Sequence, residues 1–206
     1  MPELNLEKVV ELTRRFYAEA EHMGDVASEY SREEVIAFLR SNVAGLRREV
    51  EGMSQKQLAY RAPGVPDGPD ESGDEEHFDT SQIMTHMATG TAFHWWNMTR
   101  AMRHERPPMP RPPEGTTTTG KKKSGLGAGG WKGLQADELC KLLEETVDGF
   151  ITYVKQLPED TGDARSSFGL FRDMTPHDWL FAVAAHTGAH LLQIREMKSM
   201  PDFPQA

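Results

Sequence analysis

Apolar residues recur at helical spacing in five stretches of this chain, separated by stretches too polar and too rich in proline or glycine to join a core. The first stretch predicts a helix from about Leu4 to Met23, carrying Leu6, Val9, Val10, Leu12, Phe16 and Tyr17, with Gly24 ending it. The second opens at Ser31, where Glu34 three residues on makes a capping-box signature. Its stripe of Val35, Phe38, Leu39, Val43, Leu46, Val50 and Met53 runs to Gly52 or just beyond. The third spans Asp79 to Arg103, with Asp79 and Gln82 as its cap and Ile83, Met87, Phe93, Trp95, Trp96, Met98 and Met102 as its apolar residues. The fourth runs from about Ala136 to Gln156, with Leu139, Leu142, Leu143, Val147, Phe150, Ile151 and Val154. The fifth begins at Thr175-Pro176-His177-Asp178 and ends near Ser199, before Pro201. Thr175 suits the cap, Pro176 the first turn, and Asp178 the positive end of the helix dipole. No stretch reads as a strand.

Two polar segments interrupt this pattern. Residues from about Arg61 to Phe78 hold three prolines and the acids Asp67, Asp70, Glu71, Asp74, Glu75 and Glu76. Residues from Pro107 to Gly133 turn from Pro-rich to Thr-rich to Lys/Gly-rich, a length usual for a functional lid or a disordered loop. Neither flanking half looks able to fold alone. The expectation is therefore one all-α domain over residues 1–206: an extra N-terminal helix within 1–30 and a four-helix bundle core over 31–199.

Composition narrows the functional classes. The net charge of −9 argues against non-specific nucleic-acid binding, and the run Lys121, Lys122 and Lys123 sits in a Gly/Thr-rich loop where it is expected to be solvated. A single cysteine, Cys140, excludes an internal disulfide and fits a small buried residue better than a nucleophile. No segment looks like a signal peptide or a membrane span, so a cytoplasmic protein with no membrane partner is the simplest expectation.

The candidate chemistry lies in the histidines. His186 and His190 are four residues apart, which projects both imidazoles from one helix face, roughly 40° apart around the axis. They fall on the stripe Trp179, Val183, His186, His190, Ile194 and Met197, so both are expected to face the bundle interior. Two buried imidazoles need partners. A shared divalent metal is one answer, and separate hydrogen bonds to ordinary core neighbours are the other. His86, on an earlier helix, would supply a third ligand and leave coordination positions open. Gly90, one turn on, leaves space beside it. His94 lies two turns beyond His86 and roughly 80° around, as a pocket residue or proton shuttle, with a role as a metal ligand the alternative. His22, His77, His104 and His177 are expected at the surface. Trp95 and Trp96 are candidates for a pocket wall, with at least one in the core, and Tyr60 and Arg61 precede the acidic segment within possible reach of the site.

The segment SQIMTHMATGTAFHWW around His86 resembles the second-helix motif of the DinB-like superfamily of metal-binding bundles, and DWLFAVAAHTGAHLLQIREM resembles that family's last helix. The resemblance covers roughly residues 31–199. It implies an up-up-down-down four-helix bundle with one divalent ion, nickel, zinc, manganese or iron, held by His86, His186 and His190. It also implies a small-molecule substrate, since the family includes bacillithiol- and mycothiol-dependent S-transferases. This chain departs from the family pattern in its N-terminal helix, its acidic insertion and its long second loop.

Three neutral imidazoles leave a dication its full charge, which lowers the pKa of a thiol or water ligand. Two reactions follow. A low-molecular-weight thiol attacks an electrophile, or an activated water hydrolyses an ester or amide. No H-E-x-x-H glutamate accompanies the pair, and the resemblance favours the thiol. A non-catalytic reading stands beside both, in which the metal locks a stress-response scaffold. Val9 and Phe16 on the first helix are candidates either for a homodimer contact or for covering the bundle.

Overall fold

Reciprocal caps start the long helices where the sequence places them. Ser31 and Glu34, Asp79 and Gln82, and Thr175 and Asp178 each exchange backbone and side-chain hydrogen bonds, which satisfies amides that the first helical turn leaves open. The computed structural model describes residues 4–17, 21–62, 78–111, 113, 117–118, 131–169 and 171–205, and only the backbone of 13, 14, 16, 17, 117, 118 and 132. The long helices are α3 (Arg32–Val50), α5 (Thr80–Met102), α6 (Ala136–Gln156) and α7 (Pro176–Ser199). Short helices α1 (Leu6–Tyr17), α2 (Met23–Ala27) and α4 (Gln55–Leu58) accompany them. Two antiparallel pairs, β1 (Thr117–Thr118) with β2 (Trp131–Lys132) and β3 (Ser166–Phe168) with β4 (Phe171–Met174), complete the described residues.

Residue pairings fix the direction of each bundle helix. Asn42 Nδ2 donates to Ala184 O at 3.0 Å, and Glu49 pairs with Arg195 and Lys198, so α3 and α7 run the same way. Arg32 donates to Leu157 O while Arg47 pairs with Glu144, so α6 runs opposite to α3. His86 meets His186 and His190 while His94 meets Trp179, so α5 also opposes α7. Trp95 packs against Phe150, and His104 hydrogen-bonds Tyr153, while Ser81 reaches Trp131 just ahead of α6. Neighbours α5 and α6 are therefore parallel. The all-α bundle stands as expected, but its order is up-down-down-up rather than up-up-down-down. This order explains the long second loop. Parallel neighbours require the chain to return along the full length of α5, about 35 Å for its 23 residues. Arg103 leaves α5 in the left-handed conformation, φ 56°, and by Trp131 the chain is back beside the start of that helix, where Trp131 O accepts from Ser81.

The N-terminal helices share the bundle's core. Val9, Leu12, Met23 and Val26 are buried in one cluster with Phe38, Leu39, Phe181 and Leu191. Val9 thus covers the bundle, while the Phe16 side chain lies outside the described residues, as do His77, Lys121–Lys123 and residues 63–77 of the acidic segment. The first helix ends earlier than the pattern suggested. Gly24 is the second residue of α2, whose cap is His22: Nδ1 accepts from Gly24 N at 3.1 Å. The hairpins and α4 escaped the sequence reading because two to four residues are too few to show a period. Among the described residues no helix is long and apolar enough to cross a membrane.

Candidate metal centre

The stripe on α7 that carries His186 and His190 is interior, as its spacing predicts. Trp179, Val183 and Ile194 are buried, His190 is 4% exposed, and His186 is half-buried at the edge of a cavity. Because α5 runs against α7, its second turn brings His86 to the same level from the other side. His86 Nε2 lies 3.3 Å from His186 Nε2, and His190 Nε2 lies 2.9 Å from His186 Nε2. A ligand atom from each of the three falls within 4.8 Å of the others. Phe78 meets the His86 ring edge-on, with centroids 5.4 Å apart.

This donor set fits a divalent cation. Two imidazole nitrogens at about 2.0–2.1 Å from one metal lie roughly 2.9 Å apart at a right angle and roughly 3.4 Å apart at a tetrahedral angle. Gln193, one turn after His190, accepts a hydrogen bond from His190 Nδ1 at 2.7 Å through its Oε1. A carbonyl oxygen only accepts, so the single proton of neutral His190 sits on Nδ1 and its Nε2 presents a bare lone pair to the cluster. A neutral imidazole has one N–H, so hydrogen bonding within the trio satisfies fewer contacts than one cation shared by all three.

A cavity of about 720 Å³ opens over these nitrogens. One end is aromatic: Phe93, His94, Phe168, Phe171 and Phe181. Phe93 and Phe168 stack edge-to-face with centroids 4.5 Å apart, and His94 lies between Phe171 and Trp179, at 5.6 and 5.3 Å. The His94 ring is 6.3 Å from that of His186, so His94 shares the cavity with the trio. Leu12 and Met23 of the N-terminal helices add to the apolar wall, and Gln193, Glu196, Met197 and Met200 form the other end. Gly90 borders the cavity too. A Cβ there would first meet His186 Cε1, at 3.9 Å, so the space it leaves lies beside His186 rather than His86.

The other candidates stand elsewhere. Trp95 packs into the core against Phe150, while Trp96 lies beneath the guanidinium groups of Arg100 and Arg106, and neither lines the cavity. Tyr60 donates to Asp202, and burial together with that carboxylate pushes its phenol up to about 12. Arg61 donates to Gln82, and Ala62 beside it is the residue that reaches the cavity. Burial pushes the Cys140 thiol up to about 11, which keeps it protonated and unreactive. His104 and His22 are exposed as expected. His177 is not: it is half-buried, with Nε2 3.0 Å from both Ala27 O and Tyr30 O, and ties the start of α7 to the turn before α3.

Two parts of the site go beyond the sequence expectations: Gln193 as the partner of a ligand, and the aromatic wall from the β3–β4 hairpin. The first had a signal, its i, i+3 spacing from His190. Phe168 and Phe171 had none, since their hairpin is packed in place from outside the bundle.

No curated protein and no solved structure matches the chain. The DinB superfamily model matches residues 80–194, a span holding all of α5 and α6, most of α7 and the three converging histidines. With more than half of its length in that match, the chain belongs to the DinB superfamily.

Proposed function

We propose that the protein is a divalent-metal-dependent thiol S-transferase acting on small apolar electrophiles. The observation that carries this reading is the position of the three-histidine cluster midway along a cavity with two unlike ends. Such a site accommodates two reactants, one on each side of the activating centre, as a transfer between molecules requires. His86, His186 and His190 would hold the ion, which when bound lowers the pKa of a thiol and favours its thiolate. The aromatic end excludes water and takes the apolar body of the electrophile. The thiol sulfur forms a bond to the electrophilic carbon while that carbon's bond to its leaving group breaks with the electron pair. A ring nitrogen of His94 takes up the thiol proton and returns it to solvent or to the departing group.

The hydrolase alternative uses the same residues on a water molecule and needs no second organic reactant. A purely stabilising metal needs no cavity at all. Elemental analysis of purified protein should find about one equivalent of metal, lost in His86→Ala, His186→Ala and His190→Ala. Metal-loaded protein should conjugate a chromogenic electrophile with one member of a panel of low-molecular-weight thiols, and His94→Ala should lower kcat by about 10²-fold without releasing metal. Ester hydrolysis without thiol would favour the alternative. A large fall in melting temperature on chelation, with no turnover of either kind, would favour the scaffold.

A further inference from the structure

The two ends of the cavity differ in charge as well as in polarity. Lining residues on α7 run from Phe181 to Met197, about 24 Å along the helix at 1.5 Å per residue. Toward the N-terminus of α7 the walls are phenylalanines. Toward its C-terminus they include Gln193 and the exposed Glu196. Apart from the histidines, Glu196 is the one ionisable side chain among the described lining residues. The cations nearest it in sequence, Arg195 and Lys198, bind Glu49 of α3 instead, at 2.9 and 2.7 Å.

We infer that Glu196 is a specificity residue that selects a thiol with a positively charged amino group and disfavours one with a carboxylate. This inference rests on the two-reactant reading of the site. A charged group cannot enter the aromatic end without losing its hydration, so the charged reactant must lie along the Gln193–Glu196 side. Glu196 stands six residues beyond His190, about 9 Å along the axis. That separation suits an amine joined to the sulfur through several carbons. The carboxylate is at the cavity mouth, so its selectivity is moderate and screened by salt.

The test is calorimetric titration of the metal-loaded protein with three thiols of matched length: aminohexanethiol, hexanethiol and mercaptohexanoate. The expected order is amine tightest, by about three- to tenfold over hexanethiol at low salt, with the carboxylate weakest. Glu196→Gln should erase the advantage of the amine, and Glu196→Lys should reverse the order. Circular dichroism and metal stoichiometry equal to wild type verify that both variants are folded. The same order in wild type and both variants, tightest binding of the carboxylate, or no binding of any of the three overturns the inference. Charge selection in binding without conjugation of any electrophile would retain it and remove the transferase reading.

Discussion

His190 Nδ1 donates to Gln193 Oε1 at 2.7 Å, one turn along the same helix. This bond fixes the His190 tautomer and the angle of its ring before any ion arrives. Replacing Gln193 by alanine leaves the three imidazoles in place but lets His190 rotate and exchange tautomers. Metal affinity in Gln193→Ala should fall about 10- to 100-fold, with the metal-free fold intact. Competition with a chromophoric chelator measures the affinity, and circular dichroism checks the fold. Unchanged affinity would mean that the ring is held by packing alone.

Gly188 lets two helices, α1 and α3, approach α7 at one point. A Cβ there would stand 2.8 Å from Val9 Cγ2, 3.1 Å from Asn42 Nδ2 and 3.4 Å from Phe38 Cζ. Asn42 cannot retreat without stretching its bond to Ala184 O, and the β-branched Val9 has few alternatives. Gly188→Ala should therefore cost about 1–3 kcal/mol in overpacking, offset by about 1 kcal/mol of helix propensity. Gly90→Ala is the control, because its nearest new contact is an ordinary 3.9 Å. It should be neutral or stabilising by up to about 1 kcal/mol. Urea melts of the metal-free proteins separate the two.

Glu49 joins α3 to the last turns of α7. Burial alone would raise its pKa, but hydrogen bonds from Lys198 and Arg195 outweigh it and hold the carboxyl below the ordinary 4.5. A carboxyl with a depressed folded-state pKa binds its proton more weakly in the folded state than in the unfolded one. Its contribution is thus complete above 4.5 and disappears as pH falls through the folded value. Glu49→Gln should cost about 1 kcal/mol near pH 7 and progressively less below about pH 4. Wild type and variant compared by urea melts at both pH values test this, since other acid-sensitive groups cancel in the difference.

What was legible in the sequence was whatever depends on neighbours along the chain. The capping pairs of Ser31, Asp79 and Thr175 start their helices where the spacing placed them. The His186–His190 pair follows from helical pitch, and the burial of its stripe from the apolar residues that flank it. His86 could be named as a candidate third ligand from its place on an earlier helix, and the resemblance of its motif strengthened that, but 100 residues separate it from His186 and no local spacing brings the two together.

The tertiary structure decided everything that depends on direction and on layers of chain added from outside. Whether α5 opposes α7 determines whether His86 or some other turn reaches the level of His186, and no local period encodes the sense in which two helices pack. The same holds for the crossover after Arg103, which reads as a loop in sequence and is a consequence of parallel neighbours in space. Phe168 and Phe171 enclose the cavity because their hairpin packs against α5 and α7. Short strands bury too little and repeat too seldom to show in a pattern, so their place is set by the bundle they cover.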